Sequence, residues 1–205
     1  MANHLIIAVG GTGQRLLHFY SQIYLLGQAQ EPFRAIVLDT DQLMPSLEKL
    51  KNFFDLVRDA RLSPGKIPHI QTLPVQLAGA NTVHQLLTGE VPQARGVIEH
   101  PAQVFFSADT LRQETGYGLY ARPALSAVIA AEDTIAQFGE QVELPDDTFI
   151  VVVGSIIGGT GGGLIVPLLS RLQRVAASGR NISVRAVLYG NYFRPTPGRM
   201  DRGST

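Results

Sequence analysis

The sequence predicts an α/β fold, a mostly parallel sheet with helices on both faces, and three observations predict it. Apolar runs at residues 4–9, 33–38, 148–153 and 184–189 alternate with longer stretches whose apolar residues recur at helical spacing. The first run is apolar at consecutive positions, the pattern of a strand buried on both faces. Two of the runs are followed by glycine-rich turns, Val9-Gly10-Gly11-Thr12-Gly13-Gln14 and Gly158-Gly159-Thr160-Gly161-Gly162-Gly163, each leading into a helical pattern.

Taken in order, the run at 4–9 stops at Gly10. From Gln14 onward Leu16, Leu17, Phe19, Tyr20, Ile23 and Leu26 form one broad stripe, with Gly27 as its C-cap. The second strand, 33–38, ends in the polar turn Asp39-Thr40-Asp41-Gln42. Pro45 stands where a helix would begin, and Leu47, Leu50, Phe53, Phe54 and Val57 repeat at helical spacing. Between Arg61 and Tyr117, Pro64, Pro68, Pro74, Pro92 and Pro101 interrupt short apolar pieces such as 67–75 and 104–106, where a third strand and a long excursion fit. Pro123 then opens a helix carrying Leu125, Val128, Ile129, Ile135 and Phe138. Asp146-Asp147 turn the chain into 148–153. After the second glycine turn, Leu164, Ile165, Leu168, Leu169, Leu172 and Val175 mark a helix closed near Gly179, and 184–189 is the last strand. Residues 190–205 are polar, with proline and glycine.

Composition narrows the function classes. A chain of 205 residues can bury a core without staples, and with no cysteine it has no disulfide, thiol nucleophile or thiolate metal site. Seventeen basic residues balance seventeen acidic ones, so no overall field attracts nucleic acid or an anionic membrane. Three lysines (Lys49, Lys51, Lys66) stand against fourteen arginines, whose planar forks suit phosphate and carboxylate. The start Met1-Ala2-Asn3-His4 lacks the basic region of a signal peptide, and no apolar run approaches the roughly 20 residues needed to cross a bilayer. The expectation is a cytoplasmic protein with no nucleic-acid partner and no membrane span.

The two glycine turns carry the chemistry. A strand that becomes a helix through glycines leaves unpaired N–H groups at the positive end of the helix dipole, with no Cβ to block a close approach. That is an anion cradle, and two of them can hold different phosphates of one nucleotide. The structural alternative is a pair of tight strand-to-helix corners. Thr160 can cap its helix or give its hydroxyl to a phosphate, and the absence of a Gly-Lys-Ser/Thr sequence excludes the lysine-based mechanism of P-loop NTPases. Asp41, with Asp39 beside it, suits magnesium held partly through water, or else both acids cap the helix at Pro45. Glu114-Thr115-Gly116-Tyr117-Gly118-Leu119-Tyr120-Ala121-Arg122-Pro123 is a third glycine loop, in which Arg122 serves a phosphate or is a surface arginine. The histidines (His4, His18, His69, His84, His100) have no metal-ligand spacing, and no catalytic triad or carboxylate pair stands out. In an open parallel sheet the carboxyl ends of the strands line the binding crevice, so both turns and Asp39–Asp41 should converge there.

This set resembles the nucleotide-binding domain of the tubulin/FtsZ superfamily. Gly158-Gly159-Thr160-Gly161-Gly162-Gly163 is similar to the family's phosphate-clasping signature, a small residue followed by Gly-Gly-Thr-Gly-small-Gly. Val9-Gly10-Gly11-Thr12-Gly13-Gln14 resembles the first nucleotide loop, Leu38-Asp39-Thr40-Asp41-Gln42 the Asn-Thr-Asp turn of FtsZ, and 116–123 the loop that senses the terminal phosphate; their order along the chain is the family's order. Ile157 and Gly162 depart from the signature, and Arg15 stands near where the family carries an amide at the base. The resemblance implies a divergent prokaryotic member with a Rossmann-like sheet that binds GTP or GDP with Mg²⁺. Its nucleotide set is Gly10, Gly11, Thr12, Gly13, Gln14, Asp39, Thr40, Gly116, Gly118, Arg122, Gly158, Gly159, Thr160, Gly161 and Gly162, with Asp41 toward the metal. In the family a central helix and a second domain follow, carrying the acidic loop that completes hydrolysis in a neighbouring subunit. Nothing in this sequence is similar to that part, so residues 1–195 read as the nucleotide-binding domain and 196–205 as a linker or the start of a missing C-terminal part.

Three functions remain open at this level. One is a GTP-binding module that self-associates as an oligomer or filament, its GTPase completed in trans and the chain alone inactive. Another is a non-enzymatic nucleotide-gated scaffold in a larger bacterial complex. The third is a Rossmann NAD-dependent oxidoreductase using Gly11-Thr12-Gly13 and Asp39, against which Leu16 stands where that fingerprint wants glycine or alanine.

Overall fold

The expected strands form and pair in parallel. The computed structural model describes residues 3–29, 31–41, 45–59, 67–74, 82–88, 106–114, 122–129 and 131–190. Within them β1 (Asn3–Val9), β2 (Phe33–Asp39), β3 (His69–Pro74), β4 (Thr148–Ser155) and β5 (Ile182–Tyr189) make one sheet in the order β3-β2-β1-β4-β5. Every neighbouring pair is parallel. The third strand falls inside the 67–75 piece, as expected. The strand order reverses between β1 and β4, because β1 is followed by β2 on one side while β4 lies on the other. Val9 pairs with both Leu38 and Gly154, so the carboxyl ends of the three central strands lie flush at one edge.

Helices cover both faces. α1 (Gly10–Leu25) and α2 (Pro45–Asp59) pack on one side, where Leu17, Tyr24, Leu47, Leu50 and Phe54 meet Ala8, Ala35, Val37 and Val153. On the other side α6 (Ala131–Gln141) and α7 (Gly159–Ala177) bring Phe138, Leu164, Ile165, Leu168 and Leu172 against Leu5, Ile7, Ile36, Ile150 and Val152. Successive residues of β1 and β4 point to opposite clusters, as the two-residue period of a strand requires. Three short helices, α3 (Val83–Thr88), α4 (Ala108–Arg112) and α5 (Pro123–Ile129), gather a small cluster of Val83, Leu111 and Leu125. The single helix expected after Pro123 is thus two, α5 and α6.

α1 also differs from expectation in start and in face. It begins at Gly10 rather than Gln14, so the glycines form its first turn. Its buried residues are Gly10, Gly13, Gln14, Leu17, Ser21 and Tyr24, while Phe19, Ile23 and Leu26 of the expected stripe are exposed. Close packing on the sheet selects small residues for the inner face: a Cβ on Gly13 would lie 2.7 Å from the Val153 carbonyl oxygen. The turns behave as read: Gly27 and Gly179 take left-handed backbones after α1 and α7, as Asp147 does before β4.

Candidate functional site

The flush edge brings the two glycine turns and the Asp39-Thr40-Asp41 turn together. α1 starts directly after β1 and α7 four residues after β4, both at the point where the strand order reverses. Neither helix has a side-chain cap, and neither has an acidic residue in its first turn. In α7 the first intrahelical bond runs from Gly162 N–H to the Gly158 carbonyl at 3.0 Å, leaving the amides of Gly159, Thr160 and Gly161 ahead of the ladder. By the same geometry the amides of Gly10, Gly11 and Thr12 precede the ladder of α1. The two first turns abut: a Cβ on Gly10, whose φ is +69°, would sit 3.3 Å from both the Gly161 nitrogen and the Thr160 Cβ. The first turns of two helices thus share one end of the sheet, and two positive dipole ends add to each other there.

The glycines divide by what surrounds them. Gly11 has nothing within 4 Å of its Cβ position, and Gly158 only ordinary contacts at 3.7 and 3.8 Å. Gly161, Gly162 and Gly163 are packed from behind: their Cβ positions lie 2.3 Å from the Ser155 oxygen, 2.5 Å from the Pro123 Cβ and 2.4 Å from the Ala127 nitrogen. A side chain at Gly161 would therefore meet the backbone of β4 before it reached any ligand space. Gly162 has given its amide to the helix ladder, and with Gly163 it lets α5 touch α7 at backbone distance. Ser155, which the sequence reading passed over, shapes this corner. Its hydroxyl donates to the Tyr189 carbonyl at 3.2 Å and accepts from Ile157 N–H at 3.3 Å. A serine two residues before a backbone donor is the signal that could have found it.

Beneath the two turns lies a buried polar cluster. Asp39, Thr40, Gln14 and Thr160 are all less than a tenth exposed. The Thr160 hydroxyl donates to Asp39 Oδ1 at 2.9 Å and lies 2.7 Å from the Thr40 hydroxyl, which then donates to it. Gln14 Nε2 donates to Asp39 Oδ2 at 2.5 Å, and Asp41 N–H to Oδ1 at 3.2 Å. Burial pushes the Asp39 carboxyl above its usual range, the Asp41 charge acts the same way, and the hydrogen bonds from Asp41, Thr160 and Thr40 oppose both. Its charge is balanced by these donors and by the N-terminal ends of α1 and α7 rather than by a cation, the one ion pair among the described residues being Arg58–Asp55 at the surface. Gln14 Oε1 is buried and has no hydrogen-bond partner among the described residues. A buried acceptor left so costs about 1–3 kcal/mol, and it lies in the first turns of α1 where a ligand or water would supply the donor.

Asp41 is half-buried beside Asp39. Among the described residues no group of three or more His, Asp or Glu could cage an ion. A magnesium ion here would take most of its ligands from phosphate oxygens and water, which suits that ion. Arg122 stands before α5, next to the second turn through Pro123, and its guanidinium donates to Gln113 Oε1. Ser126 of α5 reaches the Thr160 carbonyl at 3.5 Å, so α5 shares this end of α7. Gly116 and Gly118, with Gln42 and the 190–205 tail after Gly190, lie outside the described residues. No helix among the described residues is long and apolar enough to cross a membrane.

No protein-family model and no curated protein matches the chain. Among solved structures it is similar to CetZ2 from Haloferax volcanii, determined as a GTPγS-bound protofilament, at 15% identity and a TM-score of 0.48. The likeness covers 98% of this chain and 53% of that one, so the chain spans about half the length of the structure it matches.

Proposed function

We propose that this chain is a guanine-nucleotide-binding module of tubulin type, with the phosphates held between the first turns of α1 and α7. The observation that carries this reading is the pair of uncapped, glycine-rich helix starts abutting where the strand order reverses. In this reading the N–H groups of Gly10, Gly11, Thr12, Gly159, Thr160 and Gly161 bind phosphate oxygens, and Gln14, Thr40, Gly13, Gly158 and Gly162 shape the cradle. Asp41 holds Mg²⁺ on its outer phosphates, which the metal would bridge and neutralise, while Gly116, Gly118 and Arg122 close over the terminal phosphate. Asp39 argues against the dinucleotide alternative. Its carboxyl already accepts from Gln14, Thr160 and the Asp41 N–H, in competition with the ribose hydroxyl that a dinucleotide fold presents to the acid at the end of its second strand.

Hydrolysis requires an oriented water as well as charge stabilisation. The described residues around the two turns supply the second, and in this proposal a neighbouring subunit supplies the water-orienting group in trans. Association is supported by a separate observation: Phe19, Ile23 and Leu26 on α1 are exposed, and a groove of about 350 Å³ is lined by His4, Ile6, Leu16, Tyr20, Val151 and the exposed Val187 of β5. That surface serves equally a filament and a scaffold whose partners respond to the nucleotide.

The test is titration of GDP and GTP into the wild type and Gly11→Leu. Gly11 faces open space, so a leucine there should leave the circular dichroism spectrum unchanged and abolish binding. Undiminished binding in Gly11→Leu would move the phosphates elsewhere. A wild type that takes up NAD and no guanine nucleotide would replace the proposal with the dinucleotide reading.

A further inference from the structure

We infer that Asp39 is a positioning residue: from the end of β2 it ties the first turns of α1 and α7 together and so sets the gap between the two halves of the cradle. This rests on the nucleotide reading above for its functional meaning, and on geometry for its existence. β2 and β4 are not neighbours. They flank β1, so their backbones are about 10 Å apart. The turn that follows β4 reaches the end of β2 through side chains that cross the end of β1. Thr160 Oγ1 to Asp39 Oδ1 and Thr40 Oγ1 to Thr160 Oγ1 make that crossing, and Gln14 Nε2 to Asp39 Oδ2 fastens α1 to the same carboxyl. One carboxyl group therefore carries bonds from two helix starts.

The bonds also fix what these side chains are free to do. The Thr160 hydroxyl has one proton and it goes to Asp39, so Thr160 serves a phosphate through its backbone N–H. Asp39 accepts protein donors on both oxygens, two on Oδ1 and one on Oδ2, so in this inference it acts on a ligand through the amides it arranges. Donor placement matters to about the hydrogen-bond range, and a shift of either turn separates one set of amides from its oxygen.

The experiment uses the whole chain with Asp39→Ala, Asp39→Asn, Thr160→Val and the double variant Asp39→Ala/Thr160→Val. The first readout needs no ligand: amide hydrogen exchange in the first turns of α1 and α7, where Gly162 N–H bonds the Gly158 carbonyl. Asp39→Ala and Thr160→Val should each speed exchange in both turns, the double variant should be no faster than the worse single, and Asp39→Asn, which keeps an acceptor for Thr160, should restore most of the protection. The second readout is GDP affinity, expected to fall about ten- to a hundredfold in Asp39→Ala, the equivalent of one hydrogen bond to a charged group, and to be rescued by Asp39→Asn. Unchanged exchange at α7 in Asp39→Ala would overturn the inference, as would losses that multiply in the double variant. An Asp39→Asn with wild-type exchange and the affinity of Asp39→Ala would overturn it too, by showing that the charge itself touches the ligand. A wild type that binds no GDP would sink the nucleotide reading and leave the exchange result to decide the tie. If Asp39→Ala does not fold, Thr160→Val against Thr160→Ser decides the same question, serine restoring protection where valine loses it.

Discussion

Replacing Gly13 by alanine adds one methyl group at the tightest contact between α1 and the sheet. That Cβ would lie 2.7 Å from the Val153 carbonyl oxygen, 2.9 Å from the Ala8 carbonyl carbon and 3.1 Å from the Ala8 Cα. All three are backbone atoms of β1 and β4, in the middle of the sheet, so no side chain can swing aside and the helix must lift. Overpacking of this kind costs about 1–3 kcal/mol. Gly13 has no left-handed backbone, so alanine recovers about 0.5–1 kcal/mol of helix propensity. The net expectation is a loss of about 1–2 kcal/mol, which for a domain of this size lowers the melting temperature by roughly 2–8 °C. Gly11→Ala is the internal control. It is the same substitution two residues away, with nothing within 4 Å of the new Cβ, and should be neutral or stabilising by up to about 1 kcal/mol. Thermal unfolding followed by circular dichroism measures both. A Gly13→Ala protein as stable as the wild type would mean that α1 does not rest on β1 and β4 at backbone distance, and the placement of the first cradle would fall with it.

Three further outcomes follow from the site. Because burial raises the Asp39 carboxyl above its unfolded value near 3.9, the folded state holds that proton more tightly; the stability this gives is complete below the unfolded value and lost as pH rises through the raised one. Urea unfolding of wild type and Asp39→Asn between about pH 4 and pH 7 should show the wild type losing stability relative to the variant as pH rises, and a constant difference would refute it. Asp41→Ala should weaken GTP binding in magnesium far more than GDP binding in calorimetry, whereas equal losses would reduce Asp41 to a structural acid. The 205-residue chain saturated with GTP should release phosphate at a negligible rate; rapid release that is independent of protein concentration and lost in Thr160→Val would place a complete catalytic site within it.

The sheet was legible because each strand is an apolar run with turn residues at its ends, and Gly27, Pro45 and Gly179 punctuate the helices where expected. The convergence of the two glycine turns with Asp39 was legible too, since parallel strands place their carboxyl ends together. The inner face of α1 was not. Leu16, Phe19, Tyr20, Ile23 and Leu26 dominate a hydrophobic stripe, yet the helix buries Gly13, Gln14 and Ser21, because contact at backbone distance rewards small volume and the polar atoms find partners: Ser21 Oγ donates to the Leu17 carbonyl at 2.7 Å, and Gln14 Nε2 reaches Asp39. No periodicity in apolar residues reports such a face. The roles of individual glycines were equally hidden, for a glycine that admits a ligand and one that admits a neighbouring strand are the same letter.

Gly161, Gly162 and Gly163 answer to Ser155, Pro123 and Ala127 inside the same molecule. If the proposed nucleotide site fell out of use, a descendant would still be held to these three by its own folding, while Gly11 and Gly158 would be free to drift. Saturation mutagenesis scored separately for abundance and for uptake of the proposed ligand should therefore split the glycine string between positions 158 and 161.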